Sequence, residues 1–227
     1  MGYQWDFGVL LRYSALFVRG VEYTVGYTVV TVLAGLVLGL LLGLGRLSKS
    51  RILNAPLVAF IEVFRCTPLL VQIVWFYYAL PVVLQALLDR EVDIPSWLAA
   101  GMVLSFYTAA FYAEIFRAGI LSIEAGQWDA ARALGLRRWA MMRHVVLPQA
   151  VRRMVPPFMN QSIIQLKNTS LVSTIAIPDL LYQGSLISSD TFRPMETYTV
   201  IAAIYFLLLF PATRLVQAYE RRLAAER

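Results

Sequence analysis

The feature that most constrains this sequence is a set of long runs without a charged residue. Residues 23–45, 66–88 and 94–113 each reach about the 20 residues that a helix needs to cross the hydrocarbon core of a bilayer, and residues 197–213 form a shorter run. Hydrophobic residues make up 59% of the chain, above the roughly 45 to 50% of a typical soluble domain. The sequence therefore predicts an all-α integral membrane protein.

A further span is predicted over residues 154–178, although this stretch contains Lys167 and several amides. Polar groups within a span usually face a protein-lined path instead of lipid, so they do not exclude a crossing. We therefore expect five transmembrane helices in a single domain, residues 1–227. The expected spans are about 21–45, 57–88, 94–118, 154–178 and 196–215, with a long connecting loop at about 119–153.

The basic residues predict how the chain is oriented. Of the 20 Lys and Arg, 14 follow the first, third and fifth spans, including Lys49 and Arg227. Because positive residues are enriched in cytoplasmic loops, we expect the N-terminus outside and both the C-terminus and loop 119–153 in the cytoplasm. This distribution explains the net charge of +6 without nucleic-acid binding.

The long loop contains an amphipathic segment, residues 126–148, with the sequence GQWDAARALGLRRWAMMRHVVLP. We expect a helix with Asp129 in its first turn and Gly135 at its end, then a second short helix that Pro148 terminates. The small side chains of Ala130 and Ala131 leave the helix surface low, which favours docking into a groove on another protein.

The spacing within this segment resembles that of the transmembrane subunits of bacterial ATP-binding-cassette (ABC) importers. Their signature, Glu-Ala-Ala, Gly and Leu-Pro at fixed intervals, has its counterpart here in Asp129, Ala130, Ala131, Gly135, Leu147 and Pro148. Asp in place of Glu, and Val145 in place of Ile, are mild departures. The resemblance implies a type I importer fold in which this segment is a coupling helix that docks into the cytoplasmic ATPase.

The resemblance extends over almost the whole chain and is most specific for importers of polar amino acids, above all the glutamate/aspartate permeases. It implies a permease of the bacterial inner membrane with a cytoplasmic ATPase dimer, a second permease subunit, identical or homologous, and an extracytoplasmic amino-acid-binding protein. The chain contains no phosphate-binding loop, so ATP and magnesium are expected on the partner and no catalytic residue, cofactor or metal in this subunit. The matching stretches are residues 46–48, 64–72, 112–120, 126–150 and 166–171.

Several polar residues within the predicted spans are candidates for the substrate path. Charged groups at membrane depth cost roughly 2.5 kcal/mol or more unless they face water or a partner. Alternatively, the i, i+3 spacing of Glu62 and Arg65 favours a simple ion pair, and Lys167 can extend towards the membrane surface. The candidates are Glu62, Arg65, Thr67, Asn160, Gln161 and Lys167.

Two further alternatives remain open in the sequence. A self-contained secondary transporter or channel would also place charges in the membrane, although five spans without an inverted repeat argue against it. Gly35, Gly39 and Gly43 recur every four residues, which predicts close helix packing either within the chain or across a dimer.

Overall fold

The computed structural model describes residues 3–48 and 50–225, which leaves Lys49 and Arg227 of the charge pattern outside it. The described residues form helices and connecting segments without a strand. A 3₁₀ helix, Gly8–Tyr13, leads into the first α-helix. The α-helices are α1 Ser14–Arg46, α2 Arg51–Cys66, α3 Leu69–Val74, α4 Leu80–Leu88, α5 Ser96–Leu121, α6 Ala125–Ala133, α7 Arg138–Met141, α8 Leu147–Asn168, α9 Leu180–Thr191 and α10 Pro194–Ala225.

Four helical segments in the described part of the chain are long and apolar enough to cross a membrane: Gly8–Arg46, Leu69–Leu88, Ser96–Leu121 and Pro194–Leu223. They confirm the all-helical membrane fold. The helix α8 is less apolar, and beyond Asn168 it changes to a 3₁₀ helix, Thr169–Ile175. The predicted span 154–178 therefore stays a prediction. The connection after it contains an α-helix, α9, that the sequence pattern did not indicate.

The predicted span 57–88 differs from the helices observed, because the backbone becomes extended at Thr67 and Pro68 between α2 and α3. Proline lacks an N–H and disfavours helical backbone at the preceding residue. The Gln72 side-chain amide compensates for the break: its Nε2 donates to the carbonyls of Phe64, at 3.0 Å, and Thr67, at 3.1 Å. From α3 a π-helical turn, Trp75–Ala79, continues into α4.

The centre of the fold is the contact between α1 and α5. A Cβ atom added at Gly35, Gly39 or Gly43 would lie 2.6 to 2.8 Å from atoms of α5. Such distances are too short for a real Cβ, so the glycines allow the two helix backbones to pack closely. The four-residue spacing of these glycines is therefore explained by packing within the chain. On α8, Gln165 donates from Nε2 to the Thr31 hydroxyl at 3.0 Å and ties that helix to α1.

The N-terminal segment is anchored to the start of α10 through the fully buried carboxylate of Glu196. Glu196 accepts hydrogen bonds from the Tyr3 hydroxyl, from the Asp6 backbone N–H at 3.1 Å, and from Arg193 Nη1 at 2.9 Å. Arg193 also donates to the Gln4 carbonyl at 3.0 Å. The hydrogen bond with Glu196 raises the pKa of Tyr3, and that of Arg193, above their usual values.

Candidate coupling segment and translocation face

The segment that the sequence singled out forms α6 and the turn after it. Gly135 has φ of +72°, in the left-handed region that favours glycine, and confirms the predicted helix end. Asp129 is not in the first turn, because the helix already begins at Ala125. It instead forms an ion pair with Arg132, with Arg132 Nη1 3.0 Å from Asp129 Oδ1.

One side of α6 is anchored to the rest of the protein. Ala131 is only 3% exposed and belongs to a buried cluster with Ile120 and Ile123 near the end of α5 and with Val146 and Ala150 near the start of α8. The partly buried side chains of Trp128 and Leu136 pack against the same cluster. The segment is therefore held at a fixed position next to the ends of two long helices.

The other side of α6 is bare. Asp129 and Ala130 are exposed, Leu134 is 80% exposed, and a Cβ atom added at Gly126 or Gly135 would meet nothing within 4 Å. Of the six coupling residues predicted from the sequence, only Ala131 is buried. Leu147 is 45% exposed and Pro148 is exposed.

The expectation that Pro148 ends a helix is wrong. The chain is helical from Arg138, passes through a π-helical turn, Met142–Val146, and continues as α8 with Pro148 at its start. Proline in a regular α-helix clashes with the carbonyl four residues earlier, and the wider π turn removes that regular pairing. The same arrangement occurs at Leu80 and Pro81, which follow the π-helical turn Trp75–Ala79. Sequence periodicity does not report such a turn.

On α2, the predicted ion pair is present: Arg65 Nη1 lies 3.6 Å from Glu62 Oε1, and both side chains are partly exposed. The Arg65 guanidinium also lies 5.6 Å from the centre of the Phe111 ring. Thr67 donates to the Val63 carbonyl at 2.6 Å and accepts from Gln72 Nε2 at 2.7 Å. Arg65 thus has its charge balanced within the chain.

The candidates on α8 lie on two different faces. Asn160 and Lys167 are exposed, together with Ile164, whereas Gln161 is 7% exposed on the packed face and its Nε2 has no hydrogen-bond partner among the described residues. Asn160 Nδ2 is 3.4 Å from Glu220 on α10. No ion pair of Lys167 occurs in the described part of the chain. The neighbouring amides of Asn160 and Gln161 therefore have different surroundings, one exposed and one packed.

The interruptions of the two helices lie close together in the fold. Leu69 and Ile73, just after the break at Pro68, share a buried cluster with Val172 and Ile175, just after α8. Backbone that departs from a helix at membrane depth is tolerated where it is buried in protein or lines a water-filled cavity. The exposed Thr67 lies at one of these interruptions, and the exposed Lys167 directly precedes the other.

Gln72 is the residue of this region whose role sequence reasoning missed. It is 7% exposed, and it satisfies the carbonyls that the Pro68 break leaves free. A lone amide four residues after a proline within an apolar run is the signal that would have indicated it. Among the described residues no cluster of three or more His, Cys, Asp or Glu side chains is arranged to hold a metal ion.

The all-helical fold of this chain, with α6 and α7 anchored between α5 and α8, is that of a type I ABC importer permease. The chain belongs to the family of binding-protein-dependent transport system inner membrane components, whose model matches residues 35–225. It is the membrane permease subunit of an amino acid ABC importer. The resemblance to permeases of ABC amino acid importers is confirmed at the level of the family, and the alternative of a self-contained secondary transporter is excluded.

The chain matches three curated relatives over most of their length. The chain is 37% identical over 220 residues to the glutamine transport system permease protein GlnP of Escherichia coli (strain K12), covering 97% of this chain and 98% of the relative. It is 38% identical over 211 residues to the octopine transport system permease protein OccM of Rhizobium meliloti, covering 92% and 86%. It is 34% identical over 223 residues to the glutamate/aspartate import permease protein GltK of Escherichia coli O157:H7, covering 98% and 100%.

Solved structures agree with the fold. The crystal structure of an amino acid ABC transporter with histidines matches with a TM-score of 0.88 and 35% identity, covering 97% of this chain and 100% of that chain. The MetNI methionine ABC transporter in inward-facing conformations matches with a TM-score of 0.67 and 22% identity, covering 92% and 98%, and supports the fold alone.

Proposed function

We propose that residues 126–148 are the contact through which a separate cytoplasmic ATPase drives this permease. The observation that carries the proposal is the two-sided burial of α6, with Ala131 packed into the protein and Asp129, Ala130 and Leu134 exposed. Leu134, 80% exposed at the end of this helix and four residues after Ala130, adds an apolar side chain to the same exposed face. ATP and magnesium would bind to that partner.

The proposed topology has five spans in a single domain, residues 1–227, with the N-terminus outside and the C-terminus in the cytoplasm of a bacterial cell. It supports the coupling role, because α6 then lies on the side where ATP is available. A second permease subunit, identical or homologous, would complete the path, and an extracytoplasmic binding protein would deliver the amino acid.

The coupling role is tested by ATP-driven uptake into proteoliposomes that contain the complete importer. Ala130→Arg adds a long charged side chain to the exposed face of α6 without filling the core, and we expect uptake to fall at least tenfold with the fold intact. Ala218→Arg makes the same change at an exposed position of α10 and should retain uptake. Equal uptake by the two variants would exclude this coupling face.

For the solute, we propose a polar L-amino acid, with glutamate or aspartate as the first expectation. The support is Lys167, an exposed ammonium next to a helix interruption, with no ion pair in the described part of the chain. It is available to bind a carboxylate, whereas Arg65 is already paired with Glu62. The curated relatives named above include both glutamine and glutamate/aspartate permeases.

The solute is tested with labelled glutamate, aspartate, glutamine and arginine, each supplied with the cognate binding protein. We expect uptake of glutamate and aspartate, and a several-fold loss in Lys167→Met that Lys167→Arg restores. Uptake of glutamine alone would identify the solute as glutamine instead of an acidic amino acid. Uptake of arginine alone would contradict a carboxylate-binding role for Lys167. Neither outcome affects the coupling proposal.

A further inference from the structure

A groove of about 650 Å³ runs along the outer surface of the contact between α1 and α5. Both walls consist mainly of apolar side chains. Its lining includes Tyr27, Val30 and Ala34 on α1 and Trp97, Gly101 and Met102 on α5. All lining residues belong to these two helices, so the groove lies apart from the exposed faces of α2 and α8 that carry the substrate candidates.

Two glycines keep the groove open. A Cβ atom added at Gly26 or Gly101 would meet nothing within 4 Å, in contrast to Gly35 and Gly39, where it would collide with α5. Glycine within a helix costs about 1 kcal/mol relative to alanine. Close backbone packing offsets this cost at Gly35 and Gly39, but no contact within the chain does so at Gly26 or Gly101. The space therefore indicates an occupant from outside the chain.

One end of the groove lies at a membrane surface. The uncharged run 23–45 is roughly 34 Å long as a helix, close to the 30 Å of the hydrocarbon core, which puts Arg19 and Glu22 at its boundary. Trp97, 61% exposed at the start of α5, marks the same boundary, since Trp is enriched at interfaces. The Tyr27 hydroxyl donates to the Trp97 carbonyl at 3.3 Å and joins the two walls there.

The charges at this end match a lipid headgroup. Arg19, Tyr23 and Gly26 lie on one face of α1, at spacings of four and three residues, and the Arg19 guanidinium is 6.0 Å from the Tyr23 ring centre. Arg19 and Glu22 form no ion pair with each other or with another described residue. A phosphate is a strong ligand for the guanidinium, and an ammonium group complements the carboxylate.

The dimensions favour a single extended chain over a protein helix. From Tyr23 to Leu38 the groove follows α1 for about 22 Å, longer than the 15 Å or so of one leaflet's hydrocarbon. A volume of about 650 Å³ over that length gives a cross-section of about 30 Å². A helix with side chains, about 10 Å across, would lie mostly outside so narrow a groove, whereas a single extended chain fits within it.

We propose that this groove binds one acyl chain of a phospholipid in the leaflet nearest the N-terminus, with the phosphate against Arg19. Phosphatidylethanolamine fits the pair of charges, because its ammonium group can reach Glu22 while its phosphate contacts Arg19. Bound in this way, the lipid covers the surface of α1 and α5 that the glycines leave uncovered.

The test is native mass spectrometry of the complete importer, purified in detergent with added phosphatidylethanolamine. Gly101→Leu fills the groove with four carbons, and Val37→Phe adds four carbons on α1 at a position that is 60% exposed and outside the lining. We expect wild type and Val37→Phe to retain one more lipid per permease subunit than Gly101→Leu. Arg19→Gln, at the exposed end, should weaken retention several-fold without altering the packing.

Two outcomes would overturn the proposal. One is equal lipid retention in wild type, Gly101→Leu and Arg19→Gln. The other is an unchanged lipid count in Gly101→Leu together with loss of another subunit from the complex, which would mean that the groove holds a protein segment. If Gly101→Leu does not assemble, the comparison of Arg19→Gln with wild type decides, because unchanged retention in that variant contradicts the headgroup site.

Discussion

At the end of the bundle that carries the N-terminus, the fully buried Glu196 carboxylate accepts hydrogen bonds from Tyr3, Asp6 and Arg193. At the end that carries α6, Asp129 has a single ion-pair partner, Arg132, and both side chains are about two-thirds exposed. Leu134 beside them is 80% exposed. The first end holds its buried carboxylate with three hydrogen bonds, whereas the carboxylate of Asp129 stays exposed with one ion-pair partner; apolar side chains are exposed at both ends, Phe192 at 87% and Leu134 at 80%. The difference indicates that the α6 end is built for a partner.

The largest predicted effect is the loss of the buried carboxylate at the first end. Glu196→Leu removes the acceptor of three hydrogen bonds and the carboxylate that pairs with the Arg193 guanidinium, so we expect the free energy of unfolding to fall by about 3 kcal/mol. Thermal unfolding in detergent measures this loss of stability. Glu91→Leu, at an exposed site, is the control. A decrease in unfolding temperature no larger than that of the control would show that the hydrogen bonds of Glu196 do not stabilise this end.

A pH-dependent effect is expected at Asp179, the N-cap of α9, whose side chain accepts from the Tyr182 N–H at 2.9 Å. Burial raises its pKa from 3.8 to about 6. Since the folded protein holds this proton more tightly, the contribution to stability is complete below about pH 4 and is lost as the pH rises through 6. The loss amounts to roughly 3 kcal/mol.

The measurement is the free energy of unfolding of wild type and Asp179→Asn between pH 4 and pH 7. Asparagine keeps the capping hydrogen bond but does not titrate. The stability of wild type relative to the variant should therefore fall as the pH rises over this range. A constant difference would mean that the buried carboxyl keeps an ordinary pKa.

A smaller, local effect is expected at Gly135, where φ is +72°. A non-glycine residue in the left-handed region costs about 1 to 2 kcal/mol, and a β-branched side chain fits it poorly. Gly135→Val should distort the end of α6 and reduce uptake several-fold, with little change in global unfolding. Asparagine tolerates this conformation, so Gly135→Asn should retain most uptake. Equal loss in both variants would point to the added side chain and not to the backbone.

The smallest effect is expected for the exposed ion pair. Exposed pairs contribute between about 0 and 1 kcal/mol, so Asp129→Asn should change the free energy of unfolding by less than about 0.5 kcal/mol. Denaturant unfolding of Asp129→Asn, compared with wild type and with Arg132→Gln, measures this change. A loss of more than 1 kcal/mol in the free energy of unfolding would mean that Asp129 stabilises α6. It would contradict the contrast between the exposed Asp129 and the buried Glu196.

The parts of this fold that were predictable are those with local signals. Uncharged length indicated the apolar spans, the four-residue glycine spacing indicated a close helix contact on α1, and the position of Gly135 indicated the end of α6. Each depends on residues close in sequence, where helix geometry alone fixes which side chains share a face.

The unpredicted parts depend on contacts between distant residues or on irregular backbone. Tyr3 and Glu196 are separated by 193 positions, and no sequence period connects them. The break at Thr67 was hidden within an apolar run, since hydropathy does not report backbone conformation. The path of the helix through Pro148 depends on a π turn, and the opposite burial of Asn160 and Gln161 depends on what α8 packs against.

The central claim is that the bare face of α6 contacts the ATPase. The most direct test places a single cysteine at either end of the bundle in a Cys66→Ser background, with a maleimide-linked photoreactive group on Ala130→Cys or on the exposed Met195→Cys. In the complete, transport-competent importer, irradiation should join the ATPase to the permease from position 130 and not from position 195. Absence of an ATPase adduct from position 130, or an equal yield from both positions, would contradict the account.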